Sequence, residues 1–335
     1  MVSEAHRRLG LAAAALALAM TAGQAGADAV GFRDIQFEAG GETLVAALWY
    51  PTGAAPGRTA LGPISMDAAR DAPPGAGRHG LVLISHGTGG GRLNHRGTAI
   101  RLARAGYVAL APEHAGDSWR DGRYSGTSAN WHRRPRQLGA ALDRVLDDPE
   151  LGPRIDRLRI GALGHSAGGY SVLALAGARA DLSALARHCT RLRDRDPEFC
   201  AYGRRDGAAG GALPDLSDRR VRAVAAVAPV GALFGAGAFA RVAVPVEIHR
   251  LGKDRVLRFP FHADHIARLI GRGVRPAVHP GAHHFAFISP FPAALAAEIG
   301  RPARDPPGFD RRAFLARIDR RIVAFFDRAL PATRK

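Results

Sequence analysis

Three residues that together could form a nucleophilic triad occur in widely separated parts of the chain: Ser166, Asp254 and His284. A serine hydroxyl at its ordinary pKa is a poor nucleophile. It needs a neighbouring base, an acid that orients the base, and N–H groups that stabilise the oxyanion. Ser166 stands in a Gly-x-Ser-x-Gly pattern, and the acid and the histidine follow it in that order. The sequence therefore predicts acyl-transfer chemistry at Ser166.

The stretch 158–170 has the pattern of a nucleophile elbow, a strand-turn-helix corner that presents one serine. Apolar residues run into a tight turn at Gly164, His165 and Ser166, and an Ala/Leu-rich helical segment follows. The serine is expected at strained backbone angles, and a Cβ at residue 164 or at Gly168 would press the strand against the helix. The alternative is an ordinary strand-to-helix turn.

Asp254 is the expected acid because it directly follows a strand predicted at 242–249. Two other carboxylates lie nearby. Glu247 falls inside the strand pattern and is expected to take part in sheet packing. Asp264 falls on the following helix and is expected to be a solvated charge.

Two adjacent histidines follow the last predicted strand, and only one of them can be the base. Phe285 and Phe287 come just after the pair and are expected to anchor this loop. They favour His284 over His283 as the residue held above the serine.

Two backbone N–H groups are expected to form the oxyanion hole. One is that of Ala167, directly after the nucleophile, and the other is that of Thr88, in the turn after an apolar strand. The glycines at 89–91 would let a substrate approach closely, and no Lys-Ser/Thr follows them as a phosphate-binding loop requires. Three further histidines are expected to support the site loops by hydrogen bonding: His86, His114 and His165.

Apolar runs alternate with helical patterns along most of the chain, which predicts an α/β fold with a mostly parallel sheet flanked by helices. Strands are predicted near 34–38, 43–50, 80–85, 107–112, 159–163, 221–227, 242–249 and 274–278. Helices are predicted near 95–105, from Pro135 onward, and near 170–178, 261–270 and 310–330. Residues 52–78 lack periodicity and are expected to be a surface loop.

Residues 181–219 interrupt this alternation with a strongly charged segment after the nucleophile helix, and we interpret it as a lid insertion. The segment holds both cysteines of the chain, Cys189 and Cys200. An even number of cysteines in an exported protein predicts a disulfide. A metal site is not expected, and the predicted chemistry requires no cofactor.

The N-terminus has the pattern of a secretory signal peptide. A short basic stretch precedes an apolar run at 9–20 and small residues up to Ala27, so we predict a signal peptide at 1–27 and one domain at 28–335. The apolar run falls short of the roughly 20 residues that span a bilayer. An exported protein without a transmembrane anchor, periplasmic or secreted, is expected.

The chain of 335 residues carries a formal net charge of +17. Arginine supplies nearly all of the positive charge, because Lys253 and Lys335 are the only lysines. The arginines are scattered and are not interleaved with aromatic residues as base stacking requires. Binding to nucleic acid is therefore not expected, and no partner protein is implied.

Several motifs together resemble one known family. They are ALWYPT (47–52), SHG (85–87), GYV (106–108), APEH (111–114), RRP (133–135), GHSAGGY (164–170) and GAHHF (281–285). At these residues the chain resembles the α/β-hydrolase family of exported bacterial proteins related to dienelactone hydrolase and platelet-activating factor acetylhydrolase. Dienelactone hydrolase itself has a cysteine where this chain has Ser166.

The resemblance implies the α/β-hydrolase fold and a serine esterase that acts on short to medium acyl chains. Its substrate would be a small-molecule or lipid-like ester, and Ser166, Asp254 and His284 would occupy the triad positions. Two alternatives stay open. One is a non-catalytic exported binding protein of the same fold, and the other is a hydrolase of phospholipid acyl groups, polyesters or amides.

Overall fold

A computed structural model describes residues 29–202 and 210–332. The predicted signal peptide, 1–27, lies outside the described residues. The strands are β1 (Ala29–Ala39), β2 (Glu42–Thr52), β3 (Thr59–Leu61), β4 (Ile64–Met66), β5 (Ala69–Arg70), β6 (His79–Ser85), β7 (Tyr107–Pro112), β8 (Ile155–His165), β9 (Ala223–Val227), β10 (Val246–Leu251) and β11 (Ala277–His279). The α-helices are α1 (Arg96–Arg104), α2 (Ser128–Leu146), α3 (Ala167–Leu175), α4 (Leu182–Leu192), α5 (Pro197–Tyr202), α6 (Ala263–Ile270), α7 (Ala293–Ile299) and α8 (Arg311–Ala329).

Nine of these strands form one sheet in the order β11-β10-β9-β8-β6-β7-β2-β1-β5. The five strand pairs from β11 to β7 are parallel, and β2 is antiparallel to both β7 and β1. The prediction of a mostly parallel sheet is confirmed. Because neighbouring parallel strands end at the same edge, the loops after β6, β8, β10 and β11 meet there.

Helices cover both faces of the sheet and divide the core into two layers. One layer packs α2, α3, α4 and α6 on the sheet. The other packs α1 and α8 on the opposite face. Helix α8 buries Phe314, Ile318, Ile322, Phe326 and the following Leu330, as its i, i+4 spacing predicts.

The region 52–78 is not the structureless loop that its sequence suggests. It contains a small hairpin of β3 and β4, and β5 pairs with β1 to form one edge of the sheet. Strands of two or three residues are too short to show an alternating pattern, which is why the prediction was wrong here.

Helix α2 begins at Ser128, so Pro135 lies inside the helix and does not open it, contrary to the prediction. A proline in a helix interior cannot donate to the carbonyl four residues earlier. That carbonyl belongs to Trp131, and it accepts a hydrogen bond from the Tyr170 hydroxyl at 2.9 Å. A side chain of α3 therefore supplies the donor that the proline lacks.

The charged insertion contains α4 and α5, which a disulfide joins between Cys189 and Cys200. This prediction is confirmed. Leu185 and Phe199 are buried, and they attach the insertion to the core. A lid function for 181–219 stays a prediction. Within the described residues, no helix is long and apolar enough to cross a membrane.

Candidate active site

Ser166 lies in the turn between β8 and α3 with φ 57° and ψ −118°. Its N–H donates to the carbonyl of Val227 on β9, at 3.0 Å. A Cβ built on Gly164 would lie 2.1 Å from the carbonyl oxygen of Gly168, and one on Gly168 would lie 2.0 Å from that of Ser85. Strand and helix therefore approach so closely that only glycine fits on either side of the serine.

The three predicted triad residues lie in contact. Nε2 of His284 is 3.2 Å from Oγ of Ser166, and Nδ1 of His284 is 2.7 Å from Oδ2 of Asp254. Ser166 and His284 are 8% and 5% exposed. The hydroxyl can donate its proton to Nε2 while the Nδ1–H donates to the carboxylate, and this arrangement suits a general base oriented by an acid.

Asp254 lies in the loop after β10, and its second oxygen orients the carboxylate. Oδ1 accepts the N–H groups of Val256 and Leu257, each at 2.8 Å. The two rival carboxylates point elsewhere. Glu247 contacts Arg321, and Asp264 contacts Arg250 in an ion pair rather than standing alone in solvent.

The two adjacent histidines face different partners. His283 lies 2.8 Å from Asp305, whereas His284 reaches Ser166. Phe287, which follows in the same short helical turn, is fully buried and anchors the loop.

His165, next to the serine, contacts the main chain of the base. Its Nε2–H donates to the carbonyl of His284 at 2.9 Å. Burial, together with the nearby rings of His284 and His95, lowers the pKa of His165 well below its usual value. His165 is therefore neutral near pH 7.

The turn after β6 lies directly against the serine. A Cβ built on Gly87 would come within 3.2 Å of the Ser166 Cβ. The N–H groups of Thr88 and Ala167 have no protein acceptor in the described part of the chain. Ala167 directly follows the serine in the chain and Thr88 directly follows Gly87, so both predicted oxyanion donors belong to segments next to Ser166.

The side chains of His86 and His114 support this turn through hydrogen bonds. These hydrogen bonds determine the tautomer of each ring. The N–H of His114 donates to Nε2 of His86 at 3.1 Å, so the His86 proton is on Nδ1 and donates to the Gly87 carbonyl at 2.7 Å. The His114 ring lies 2.9 Å from both the Ser85 hydroxyl and the side-chain oxygen of Gln137. Burial lowers the pKa of each ring well below its usual value, so both are neutral.

Sequence reasoning missed a buried ion pair under the same turn. Arg134 and Asp117 are both completely buried, with Nη1 2.6 Å from Oδ2. Burial lowers the pKa of Arg134, and the Asp117 carboxylate opposes that effect. One signal could have found the arginine. Asn130, Arg134 and Gln137 follow an i, i+4, i+7 spacing, which places three polar residues on the buried face of α2.

Three residues could hold a metal by their positions: His188 and Asp196 in the insertion, and His262 at the start of α6. The hydrogen bonding disfavours this. The Gly231 N–H donates to Nδ1 of His262, so the proton is on Nε2 and donates to Asp196 at 2.8 Å. Burial alone would raise the pKa of Asp196, but the two histidine donors lower it to about 2. We interpret the group as a hydrogen-bonded link between the insertion and α6.

No protein-family model matches the chain. It is 34% identical over 108 residues to Cutinase est1 of Thermobifida alba and 33% identical over 108 residues to Cutinase 2 of Thermobifida cellulosilytica. The similarity covers 32% of this chain and 33% and 37% of those proteins. The chain thus spans about a third of the length of the curated relatives that it matches.

Two solved structures cover nearly the whole chain. One is a ferulic acid esterase from Streptomyces cinnamoneus, with a TM-score of 0.60, 21% identity and 90% of each chain covered. The other is a dienelactone hydrolase-like promiscuous phosphotriesterase from metagenomic libraries, with a TM-score of 0.55, 18% identity, and 90% of this chain and 99% of that one covered.

The sheet order and these structural similarities define the class: the chain has the α/β-hydrolase fold. Within this fold it is similar to dienelactone hydrolase-like hydrolases, which agrees with the family resemblance of its motifs.

Proposed function

We propose that this protein is a serine hydrolase that cleaves carboxylic esters through an acyl-enzyme intermediate. The observation that carries the proposal is the continuous contact from Ser166 through His284 to Asp254, at 3.2 and 2.7 Å. A non-catalytic binding protein would have no need to keep a strained serine beside a base and an oriented acid.

In the proposed mechanism, His284 takes the Ser166 proton as the hydroxyl oxygen attacks the ester carbonyl carbon. The N–H groups of Thr88 and Ala167 stabilise the negative charge on the carbonyl oxygen. Asp254 stabilises the imidazolium, which then protonates the leaving alcohol. In the second half of the reaction, His284 takes a proton from water as the water oxygen attacks the acyl-enzyme carbonyl. The Ser166 oxygen then leaves, takes the proton back from His284, and the acid is released.

The proposed substrates are esters of short to medium acyl chains. Cutinases and a ferulic acid esterase are among the similar proteins, and their names favour carboxylic esters over amides. Polyesters and phospholipid acyl groups, which the sequence leaves open, are the second candidates. A panel of acetyl to octanoyl p-nitrophenyl esters, a phospholipid and a polyester film would distinguish these classes.

The first prediction is that Ser166→Ala lowers the rate of p-nitrophenyl butyrate hydrolysis by at least about a thousandfold, because the nucleophile is removed. A serine-directed organophosphate should add its mass to the wild type at Ser166 and not to the variant. Ser65→Ala is the control, because Ser65 is an exposed residue of the β3–β4 hairpin whose hydroxyl accepts a hydrogen bond from Arg58. Equal rates for wild type and Ser166→Ala would refute the proposed function.

We also propose that the protein is exported. The disulfide between Cys189 and Cys200 supports this, because disulfides persist in oxidising compartments and are rare in the cytosol.

A further inference from the structure

We propose that the buried ion pair of Asp117 and Arg134 positions the Thr88 N–H for catalysis. The pair would act through the backbone of the oxyanion turn without touching the substrate. This inference rests on the proposed function, because it assigns a cause to the geometry of one of its oxyanion donors.

The turn itself leaves one N–H unused. The N–H of Gly90 donates to the carbonyl of Gly87 at 3.0 Å, which makes Thr88 and Gly89 the two central residues of a tight turn. Gly89 has φ 65°, as the second central residue of such a turn requires. Its N–H donates to Oδ1 of Asp117 at 3.3 Å. The Thr88 N–H has no acceptor among the described residues.

The two ends of the ion pair hold the two sides of this turn. The Arg134 guanidinium donates through Nη2 to the carbonyl of His86, two residues before Thr88. The Asp117 carboxylate accepts the N–H of Gly89, one residue after it. The ion pair therefore binds the carbonyl of the 86–87 peptide and the N–H of the 88–89 peptide, which enclose the 87–88 peptide that carries the Thr88 N–H. The 2.6 Å contact between the two charges sets the spacing of these two anchor points.

Further partners fix the pair in one geometry. Asp117 accepts hydrogen bonds from the Ser125 hydroxyl and, at 2.6 Å, from the Asn130 amide. Arg134 also donates through Nε to the Ser171 hydroxyl at 3.3 Å, and Ser171 is on the nucleophile helix α3. The turn carries the proposed Thr88 donor, and α3 begins at the proposed Ala167 donor. Arg134 therefore contacts both elements that carry an oxyanion donor.

Stability alone does not explain a buried ion pair, because the desolvation of both charges offsets much of their attraction. In general, well-packed apolar residues of similar volume can replace a buried ion pair at little cost in stability. They would leave the His86 carbonyl and the Gly89 N–H without partners, and the turn would lose its fixed position. The location of the pair directly beneath the turn is what favours a positioning role.

The second prediction concerns Asp117→Asn, which keeps the side-chain volume but cannot accept from both Gly89 and Arg134. We expect kcat for p-nitrophenyl butyrate to fall about 10- to 100-fold, with KM within about twofold of wild type. A trifluoromethyl ketone forms a tetrahedral adduct whose oxyanion occupies the hole, so its inhibition constant should rise by the same factor. A purely structural role would lower stability without moving this constant.

Asp319→Asn is the matched control. Asp319 is also a buried carboxylate paired with an arginine, but it lies between α1 and α8 on the other face of the sheet. Its replacement should leave kcat and the inhibition constant within about twofold of wild type. If Asp117→Asn shows the same pattern as this control, the positioning inference is overturned.

If Asp117→Asn does not fold, Ser125→Ala provides the same test. It removes one hydrogen bond to Oδ1 of Asp117, and a smaller fall in kcat should again match the rise in the inhibition constant. Unchanged values would overturn the inference.

A catalytically inactive Ser166→Ala alongside a fully active Asp117→Asn would refute only the positioning role. An active Ser166→Ala would refute both the proposed function and this inference.

Discussion

The backbone at Ser166 is held in a conformation that residues other than glycine rarely adopt. With φ at 57°, the serine lies where the chain turns sharply from β8 into α3. The turn is possible because Gly164 and Gly168 allow main-chain atoms of strand and helix to approach within contact distance. The reactive hydroxyl is thus positioned by glycines that have no chemistry of their own.

The third prediction tests this close approach. Gly164→Ala would place a Cβ 2.1 Å from a backbone oxygen, so we expect the free energy of unfolding to fall by about 3 kcal/mol or more. Gly235→Ala is the control, because a Cβ there meets no atom within 4 Å. Urea denaturation measures both. A loss at residue 164 as small as that of the control would contradict the steric explanation.

Single residues differ in how well the sequence predicts them. The contact of Ser166, Asp254 and His284 was predictable, because they follow predicted strands in the chain order that acyl-transfer chemistry requires. Asp117 was not predictable, and the one signal for Arg134 was the spacing of polar residues on α2. A charged residue is normally exposed, and only the distant partner that the fold brings to it makes its burial tolerable.

At the scale of elements, α2 and α3 are joined where each is locally irregular. Pro135 leaves the Trp131 carbonyl without its helical donor, and Tyr170 of α3 supplies the missing hydrogen bond. Trp131 and Tyr170 also pack edge to face, with ring centroids 5.0 Å apart. This contact connects the helix that carries Arg134 to the helix that begins at the nucleophile.

The fourth prediction is that Tyr170→Phe lowers the free energy of unfolding by about 1–3 kcal/mol, because the buried carbonyl of Trp131 loses the hydroxyl that donates to it. Adding Pro135→Ala should recover part of this loss, since alanine restores the N–H that can donate to Trp131. A double-mutant cycle by urea denaturation measures the coupling. Strict additivity of the two substitutions would mean that the hydroxyl and the proline do not share this carbonyl.

The elements themselves were predictable to the extent that they are long. Strands β6 to β10 were recognised from their apolar runs and α8 from its spacing, because burial imposes a pattern on five or more residues. The start of α2 was misplaced because a proline usually marks the first turn of a helix. The Tyr170 side chain that permits it at an interior position is 35 residues away in sequence.

At the scale of the whole molecule, the sheet determines that the site exists. Thr88, Ser166, Asp254 and His284 follow β6, β8, β10 and β11, which are parallel members of one sheet. Their loops therefore meet at one edge although 118 positions separate the serine from the histidine. The helices on both faces stabilise that sheet, and the layer formed by α1 and α8 also packs against Phe287 in the loop that carries His284.

The face of the sheet that α1 and α8 cover contains a buried carboxylate. Asp319 on α8 accepts a hydrogen bond from Thr98 at 2.8 Å and lies 3.2 Å from Arg101, both on α1. Burial raises the pKa of Asp319 from 3.8 to about 6, although the Thr98 hydrogen bond and the Arg101 charge oppose the shift. The folded state therefore keeps this proton to a higher pH than the unfolded state does.

The fifth prediction follows from the sign of this shift. Between pH 4 and pH 6 the unfolded chain binds fewer protons at Asp319 than the folded chain does, so the contribution of Asp319 to the free energy of unfolding falls as the pH rises. A difference of about two pKa units corresponds to about 3 kcal/mol. Asp319→Asn does not titrate, so the stability of the wild type relative to this variant should fall by about that amount from pH 4 to pH 7. Urea denaturation of both proteins at each pH measures the difference, and a constant difference would mean that Asp319 ionises normally between α1 and α8.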